Sequence, residues 1–222
     1  MAGATWDSIF AGNKRQVRKG LYGSVLVQDY LGTTDYTAYT PFDPTTGLLS
    51  ATLLTTDLWK DIGYCDETGV SFAPTYTTVS TTSWQTRQDL RTDATVDTET
   101  GDCVALQDSP IVQALYKNVP IAGQPAIGAS GYQMIKPVQP QVVYRTVMFL
   151  GVDGSSGTGA NGYIFMAKIY PCALQIKPGK QDYAAKTELQ FPLSFQAYPD
   201  PASKNTSVIE LREGPGWRAL TA

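Results

Sequence analysis

Alternation of apolar and polar residues is the main structural signal in this chain, and it is clearest near the C-terminus. Over residues 189–198, every second residue from Leu189 to Ala197 is apolar, while Pro192 lies on the opposite face. A period of two predicts a β-strand with one packed face, and a proline on the other face favours an edge position or a bulge. Further stretches with strand-like composition are residues 21–30, 58–64, 70–72, 75–82, 142–152, 163–176 and 207–211.

The most regular alternation lies in the middle of the chain, over residues 83–107. Its charged positions fall on one face, and its apolar and uncharged positions fall on the other. The residues of the charged face are Arg87, Asp89, Arg91, Asp93, Thr95, Asp97 and Glu99. We expect a hairpin here, with a turn at residues 99–102 around Gly101 and a second strand at residues 103–107. The charged face must meet water or a polar partner.

One segment carries a good helix start. Asp108 or Ser109 can cap the free N–H groups, Pro110 fits the first turn, and apolar residues at helical spacing follow up to residue 118. That apolar stripe is typical of a core-facing helix. With seven to nine strands and one helix, the chain is predicted to be mostly β, of sandwich or barrel type.

Three segments carry apolar side chains outside any clear core pattern. They are an N-terminal arm (residues 1–20), a long loop (residues 32–56) and a C-terminal tail (residues 214–222). Their apolar anchors are Trp6, Ile9 and Phe10 in the arm, Tyr39, Phe42, Leu48 and Leu49 in the loop, and Trp217 in the tail. We expect these segments to pack on a partner, with residues 21–213 forming the folded domain.

Composition narrows the possible functions. The 222 residues carry a net charge of −3, with 42% hydrophobic and 17% charged residues. The apolar content suffices for a core, and the negative charge argues against an electrostatic grip on nucleic acid, which needs clustered lysine and arginine. Because no apolar run approaches the roughly 20 residues of a membrane span, and the N-terminus lacks the apolar part of a signal peptide, we expect no membrane association.

Candidate catalytic chemistry is sparse. The chain has no histidine, so it can form neither a Ser-His-Asp nor a Cys-His nucleophile pair. Its three cysteines (Cys65, Cys103 and Cys172) are widely spaced, which favours free, mostly buried thiols in a reducing compartment over a zinc site. Asp97 and Glu99 could flank a glycosidic bond, but the nearby arginines favour cross-strand ion pairs. We therefore predict no enzyme activity, no metal site and no cofactor.

Several ordered sequence blocks resemble the major tail tube protein of long-tailed bacteriophages, especially phages of actinobacteria. The blocks are WKDIGYCDETGVSF (residues 59–72), SWQ followed by the Arg/Asp-rich strand (residues 83–99), the helix after Asp108, FPLSFQAYPDP (residues 191–201) and GPGW (residues 214–217). Together they cover residues 57–217, without the N-terminal arm and the loop at residues 32–56. The order and spacing of the set carry the resemblance, since each block alone is a weak signal.

The resemblance implies a β-sandwich with one flanking helix that forms hexameric rings stacked into a tail tube. In that family, hairpin strands from each subunit join into a barrel around a lumen, through which double-stranded DNA passes into the host without specific binding. The charged hairpin face, with Arg87, Asp89, Arg91, Asp93, Asp97 and Glu99, then becomes the candidate lumen lining. The apolar anchors of the arm, loop and tail become candidates for contacts between subunits and between rings.

The resemblance also implies partners and a location. The partners are further copies of the chain, a tape measure protein, a tail terminator and distal tail proteins. The protein would be assembled in the cytoplasm of the host bacterium and end in the tail of the virion.

A different class of function stays open. The chain could be a non-polymerising β-sandwich binding module, for carbohydrate or as a tail-decoration domain, with Trp59, Trp84, Trp217 and the tyrosine-rich loop as stacking surface. Trp59 and Trp84 lie in strand-like contexts that favour core positions, which leaves Trp217 as the free indole. Formation of rings or tubes distinguishes the two classes, because only the first predicts it.

Overall fold

A computed structural model describes residues 16–125, 128, 131–139, 141–154 and 162–221. Within these residues, eight strands form one antiparallel sheet, and strand content of 45% against 11% helix confirms a mostly β chain. The strands are β1 (Tyr22–Asp29), β2 (Lys60–Asp61), β3 (Cys65–Thr82), β4 (Asp89–Ala105), β5 (Tyr144–Asp153), β6 (Ile164–Gln175), β7 (Phe191–Tyr198) and β8 (Ile209–Glu213).

The strand order along the sheet is β2-β1-β5-β6-β7-β4-β3. β5 pairs along one edge of β6, and the other edge is shared, with β8 pairing at Phe165–Ile169 and β7 at Cys172–Gln175. Phe72 of β3 stacks edge-on against Phe149 of β5, with ring centroids 5.2 Å apart, although three strands lie between β3 and β5. The sheet is therefore strongly curled, and its two ends approach each other.

The main core lies inside this curl. It combines side chains from both ends of the sheet with side chains from the helix α1 (Pro110–Tyr116). Its largest members are Tyr170, Phe149, Phe191, Phe195, Ile62 and Leu115. The alternation predicted for residues 189–198 is confirmed over β7, because buried and half-buried residues alternate from Phe191 to Tyr198.

The predicted helix is also confirmed, in a shorter form. The side chain of Ser109 accepts a hydrogen bond from the N–H of Val112 at 3.2 Å, so Ser109 is the N-cap, and Pro110 occupies the first turn. Val112 and Leu115 are fully buried in the main core. A second short helix, α2 (Pro215–Arg218), was not expected from the sequence.

A second core covers the opposite face of β1, β5 and β6. Here Met148, Phe165 and Ile169 pack against side chains from β8 and from the segment between β1 and β2. The buried side chains of that segment include Tyr36, Phe42, Leu53 and Trp59. The long loop is therefore a structural layer of the folded chain.

A buried arginine connects β1 and β5 with the segment that follows α1. Arg145 of β5 is fully buried; its Nη1 lies 3.0 Å from Asp29 Oδ1 and its Nη2 donates to the carbonyl of Val119 at 2.8 Å. Asp29 also accepts the N–H groups of Ile121 (3.0 Å) and Ala122 (2.8 Å). Burial lowers the pKa of Arg145 to about 10, and Asp29 opposes that shift. This network joins β1 and β5 to the segment that follows α1.

Candidate functional site

The longest strands, β3 and β4, extend beyond the rest of the sheet. β4 pairs with β7 only at Thr100–Ala105, and β3 is the last strand in the sheet order. Residues 74–98 therefore project as a two-stranded hairpin, which we call the hairpin arm. Apart from Ser83 and Thr98, its side chains are exposed. At about 3.3 Å per residue, the nine residues 74–82 reach roughly 30 Å.

The hairpin turn does not lie at residues 99–102, and that prediction is wrong. β4 runs unbroken through Gly101, where a Cβ atom would lie 2.7 Å from Cζ of Phe149 and 3.3 Å from Cε2 of Tyr170. The glycine leaves room for aromatic packing and makes no turn. The chain turns at residues 83–88, where the carbonyl of Ser83 accepts the N–H of Arg87 at 2.8 Å. Arg87 has a φ of 53°, in the left-handed region that few non-glycine residues adopt.

The prediction of one charged hairpin face is also wrong, because β4 contains two bulges. Thr77 and Thr78 are opposite Val96 and Ala94, and Thr81 and Thr82 are opposite Arg91 and Asp89. Thr95 and Leu90 therefore have no residue opposite them on β3. After each of these bulge residues, the side chains of β4 that would continue on one face of the hairpin lie on the other face. The side chains of Asp89, Asp97 and Glu99 share the face that continues into the main core, which we call the core-side face. The side chains of Arg91 and Asp93 lie on the opposite, outer face.

The outer face of the hairpin arm is polar and nearly neutral. Arg91 Nε lies 2.7 Å from Asp93 Oδ2, and both side chains are exposed. An exposed ion pair of this kind contributes little to stability, typically about 0–1 kcal/mol. The remaining outer-face residues are small or uncharged: Thr75, Thr77, Val79, Thr81, Val96 and Thr98.

Glu99 attaches the base of the hairpin arm to the rest of the folded chain, which we call the body. Its Oε1 lies 2.7 Å from Lys168 Nζ and accepts the hydroxyl of Tyr170 at 2.7 Å. Lys168 Nζ also lies 2.6 Å from Glu210 Oε1 and 4.3 Å from the ring centroid of Phe72. The hydrogen bond from Lys168 holds the pKa of Glu210 below its ordinary value. Glu99 is thus engaged within its own chain and is not a free charge on the arm.

The loop residues predicted to contact a partner are packed within their own chain. Phe42 is only 4% exposed and contacts the ring of Phe165 at 6.0 Å between centroids. The hydroxyl of Tyr39 accepts the indole N–H of Trp59 at 2.9 Å, and Leu48 and Leu49 are partly buried in the second core. The expectation that these side chains stay exposed is wrong, because they cover the apolar face of β1, β5 and β6.

The C-terminal tail also contacts its own chain. The predicted anchors of the N-terminal arm, Trp6, Ile9 and Phe10, lie outside the described residues. The guanidinium of Arg218 donates to the carbonyls of Pro44 (3.0 Å) and Thr45 (2.7 Å) and to Glu213 Oε1 (2.7 Å). The tail is therefore attached to its own chain through Arg218, and the expectation that Trp217 packs on a partner stays a prediction. Trp217 stays 41% exposed on α2.

Trp59 and Trp84 differ strongly in solvent exposure. Trp59 is 1% exposed, as predicted, but Trp84 is 90% exposed in the turn of the hairpin arm, so its predicted core position is wrong. An aromatic residue at the tip of a projecting hairpin has nothing to pack on within the described chain. Exposed aromatic residues of this kind are typical of contact surfaces.

A cleft of about 600 Å³ lies at the open seam of the curl, between β1 and the start of β3. Exposed Tyr22 and Tyr64 line it, together with Phe72, Lys168 and Arg212. In the described part of the chain, no cluster of three or more acidic, cysteine or histidine side chains could hold a metal ion. No helix there is long and apolar enough to cross a membrane.

Comparison with known proteins gives no assignment. No protein-family model matches the chain, and no curated protein matches it in sequence.

Proposed function

We propose that this chain is a self-assembling structural protein of a bacteriophage tail, which forms stacked hexameric rings of a tail tube that conducts DNA into the host. The observation that carries the proposal is the hairpin arm with its two unpaired edges. The sequence blocks that resemble major tail tube proteins support the same function. A sandwich of the tail tube type, with the tape measure, terminator and distal tail proteins as further partners, belongs to this proposal.

The edges of the hairpin arm favour association by strand pairing. Among the described residues, neither the free edge of β3 over residues 74–82 nor that of β4 over residues 89–99 pairs with another strand. Long exposed edges are normally protected by charged residues, proline or short length. The β4 edge carries charged residues, but the β3 edge has only Pro74 at its base, because residues 75–82 contain neither charge nor proline. A two-stranded hairpin is also marginally stable by itself, so additional strands would stabilise it.

The two edges are different, and this favours a ring. Pairing the β3 edge of one copy with the β4 edge of the next is a heterologous contact, which repeats and closes when the rotation allows. With all arms pointing the same way, successive strands alternate in direction, so the joined arms form one antiparallel barrel. Antiparallel pairing is the mode already present within each arm.

The face that lines such a channel follows from the position of the body. The main core and the body lie on the side of the core-side face. In a ring whose bodies surround the joined arms, the core-side face points outward to the bodies. The opposite face of the arm, named the outer face above, then points toward the lumen. Arg91, Asp93 and Asp102 on this face sum to −1, from one cation and two anions. A weak negative charge lets a polyanion pass without attachment. Of the lumen candidates, Arg91 and Asp93 remain, whereas Asp89, Asp97 and Glu99 face the body and Arg87 lies in the turn.

Shortening the hairpin arm tests the proposal. Replacing residues 77–96 by Asn-Gly joins Tyr76 to Asp97, which already lie opposite each other, through a two-residue turn. We expect a folded body whose melting temperature is nearly unchanged, because all removed side chains except that of Ser83 are exposed. Rings and tubes should be absent in electron micrographs.

A matched control keeps both edges of the arm intact. Thr92→Val changes one exposed side chain on the core-side face and should assemble like the unaltered chain. If the shortened variant still formed tubes of normal length, the arm edges would not be the assembly surface.

A second candidate function is supported by the seam cleft. Its volume lies within the range of small-ligand sites, and the exposed rings of Tyr22 and Tyr64 could stack on a sugar. A non-polymerising binding module would remain monomeric at all concentrations and lose ligand binding in Tyr64→Ala. Titration with a panel of oligosaccharides, together with sedimentation of the unaltered chain, separates this function from assembly.

A further inference from the structure

Two cysteines lie next to each other at the base of the hairpin arm. The register places Cys65 opposite Ala105, and Val70 opposite Cys103, so residues 66–69 bulge out opposite the single residue Val104. Since Cys103 and Ala105 are two residues apart on one strand, their side chains share a face, and Cys65 is the diagonal neighbour of Cys103. Both cysteines pack in the main core.

The two thiols differ in access and acidity. Cys103 is 4% exposed, whereas Cys65 is partly exposed and lines the seam cleft. A hydrogen bond between their side chains lowers the pKa of Cys65, against the opposing effects of burial and of Asp61. The same hydrogen bond and burial raise the pKa of Cys103 well above its ordinary value. Cys65 is therefore the accessible nucleophile, and Cys103 is the buried thiol beside it.

We propose that Cys65 and Cys103 form a thiol–disulfide exchange site whose substrates are small-molecule disulfides such as oxidised glutathione. The Cys65 thiolate attacks one sulfur of the glutathione disulfide, the S–S bond breaks, and one glutathione thiolate leaves. Cys103 then loses its proton to solvent and attacks Cys65 Sγ in the mixed disulfide, which expels the second glutathione thiolate. Two protein thiols are oxidised, and one glutathione disulfide is reduced to two glutathione molecules.

The product is a cross-link between β3 and β4 that encloses the whole hairpin arm. It fastens the two strands where four bulged residues interrupt their pairing, so the thiol pair sets how firmly the arm is attached. A cross-link that closes a long loop restricts the unfolded chain, and it should raise the melting temperature. This inference does not depend on the assembly proposal, because it concerns the isolated chain.

The third cysteine provides an internal control. Cys172 of β6 is 6% exposed, and burial raises its pKa to about 11, with a smaller contribution from Asp200. It should remain reduced under conditions that oxidise the pair.

The test is incubation of the full chain with oxidised glutathione, followed by alkylation of free thiols and mass spectrometry. We expect the loss of two hydrogens, one cross-linked peptide pair that contains Cys65 and Cys103, and alkylated Cys172 after denaturation. Cys103→Ala should retain one glutathione on Cys65, and Cys65→Ser should retain none. If either variant fails to fold, peptide mapping of the unaltered chain decides alone. A stable glutathione adduct on the unaltered chain, a cross-link to Cys172, or no reaction at Cys65 would overturn the assignment.

Discussion

At the scale of single residues, the attachment of the hairpin arm depends on side chains that meet at Gly101. Phe149 and Tyr170 occupy the space above this glycine, and Phe72 stacks on Phe149 from the neighbouring strand. Glu99, two residues away, accepts the hydroxyl of Tyr170 and pairs with Lys168. The base of the arm is therefore packed against aromatic residues of the main core, although the arm itself is exposed.

Gly101→Ala should destabilise the chain by about 1–3 kcal/mol, because a Cβ atom forces two buried rings to move. Gly131→Ala is the matched control, since nothing lies within 4 Å of a Cβ atom there. Urea unfolding followed by circular dichroism measures both free energies. Equal effects of the two substitutions would show that the packing at Gly101 is loose.

The ion pair between Glu210 and Lys168 predicts a dependence of stability on pH. Because the folded state lowers the pKa of Glu210, its contribution is complete above the ordinary value of 4.5 and is lost as the pH falls through the folded value. The free energy of unfolding should therefore decrease on acidification, and less so in Glu210→Gln. Glu188→Gln, at an exposed glutamate, should behave like the unaltered chain. Urea titrations at a series of pH values check this; identical pH profiles for all three chains would contradict it.

At the scale of elements, sequence periodicity predicts what is decided locally. The alternation of β7 is correct because an antiparallel strand with one buried face imposes it on every residue. The cap at Ser109 is correct because a side-chain hydrogen bond to the helix start spans three residues. Both features depend on neighbours in the chain.

The turn and the faces of the hairpin could not be predicted in this way. Gly101 has turn-like chemistry, but its glycine is required by Phe149, a residue distant in the chain. The true turn contains no glycine and places Arg87 in a left-handed conformation. The bulges at Leu90 and Thr95 leave the sequence alternation unbroken while they exchange the faces, so periodicity alone gives the wrong face.

The burial of the long loop could not be predicted from local sequence patterns either. Tyr39 and Phe42 resemble side chains available to a partner, because no nearby residues show a matching apolar pattern. Their matching surface belongs to β1, β5 and β6, and part of it lies more than a hundred residues further along the chain. Burial of these side chains follows from the tertiary fold.

The turn of the hairpin arm is the element whose substitution should separate folding from assembly. Trp84→Ser should change the free energy of unfolding by less than about 0.5 kcal/mol, since the indole is 90% exposed. It should slow or weaken tube formation, because an exposed indole at the arm tip is expected to be covered by a neighbouring copy. Tyr183→Ser, 83% exposed between β6 and β7, is the control. Light scattering during assembly measures the rate; equal rates for both variants would remove Trp84 from the interface.

At the scale of the whole molecule, the chain combines a well-packed body with an arm that has no packing of its own. The body contains two cores and the ion pair of buried Arg145 with Asp29, and the loop expected to be an interface completes the second core. Among the described residues, the longest unpaired strand edges and the most exposed indole lie on the arm. This division of roles favours assembly through the arm by a body that folds by itself.

The central claim is that hairpin arms of neighbouring copies pair edge to edge into a continuous barrel. Electron cryo-microscopy of the purified, assembled protein tests it most directly. We predict rings or tubes in which residues 74–82 of one copy lie beside residues 89–99 of the next, with Arg91 and Asp93 facing the channel and Asp97 facing the body. A density map with unpaired arms, or a protein that stays monomeric at high concentration, would contradict the claim.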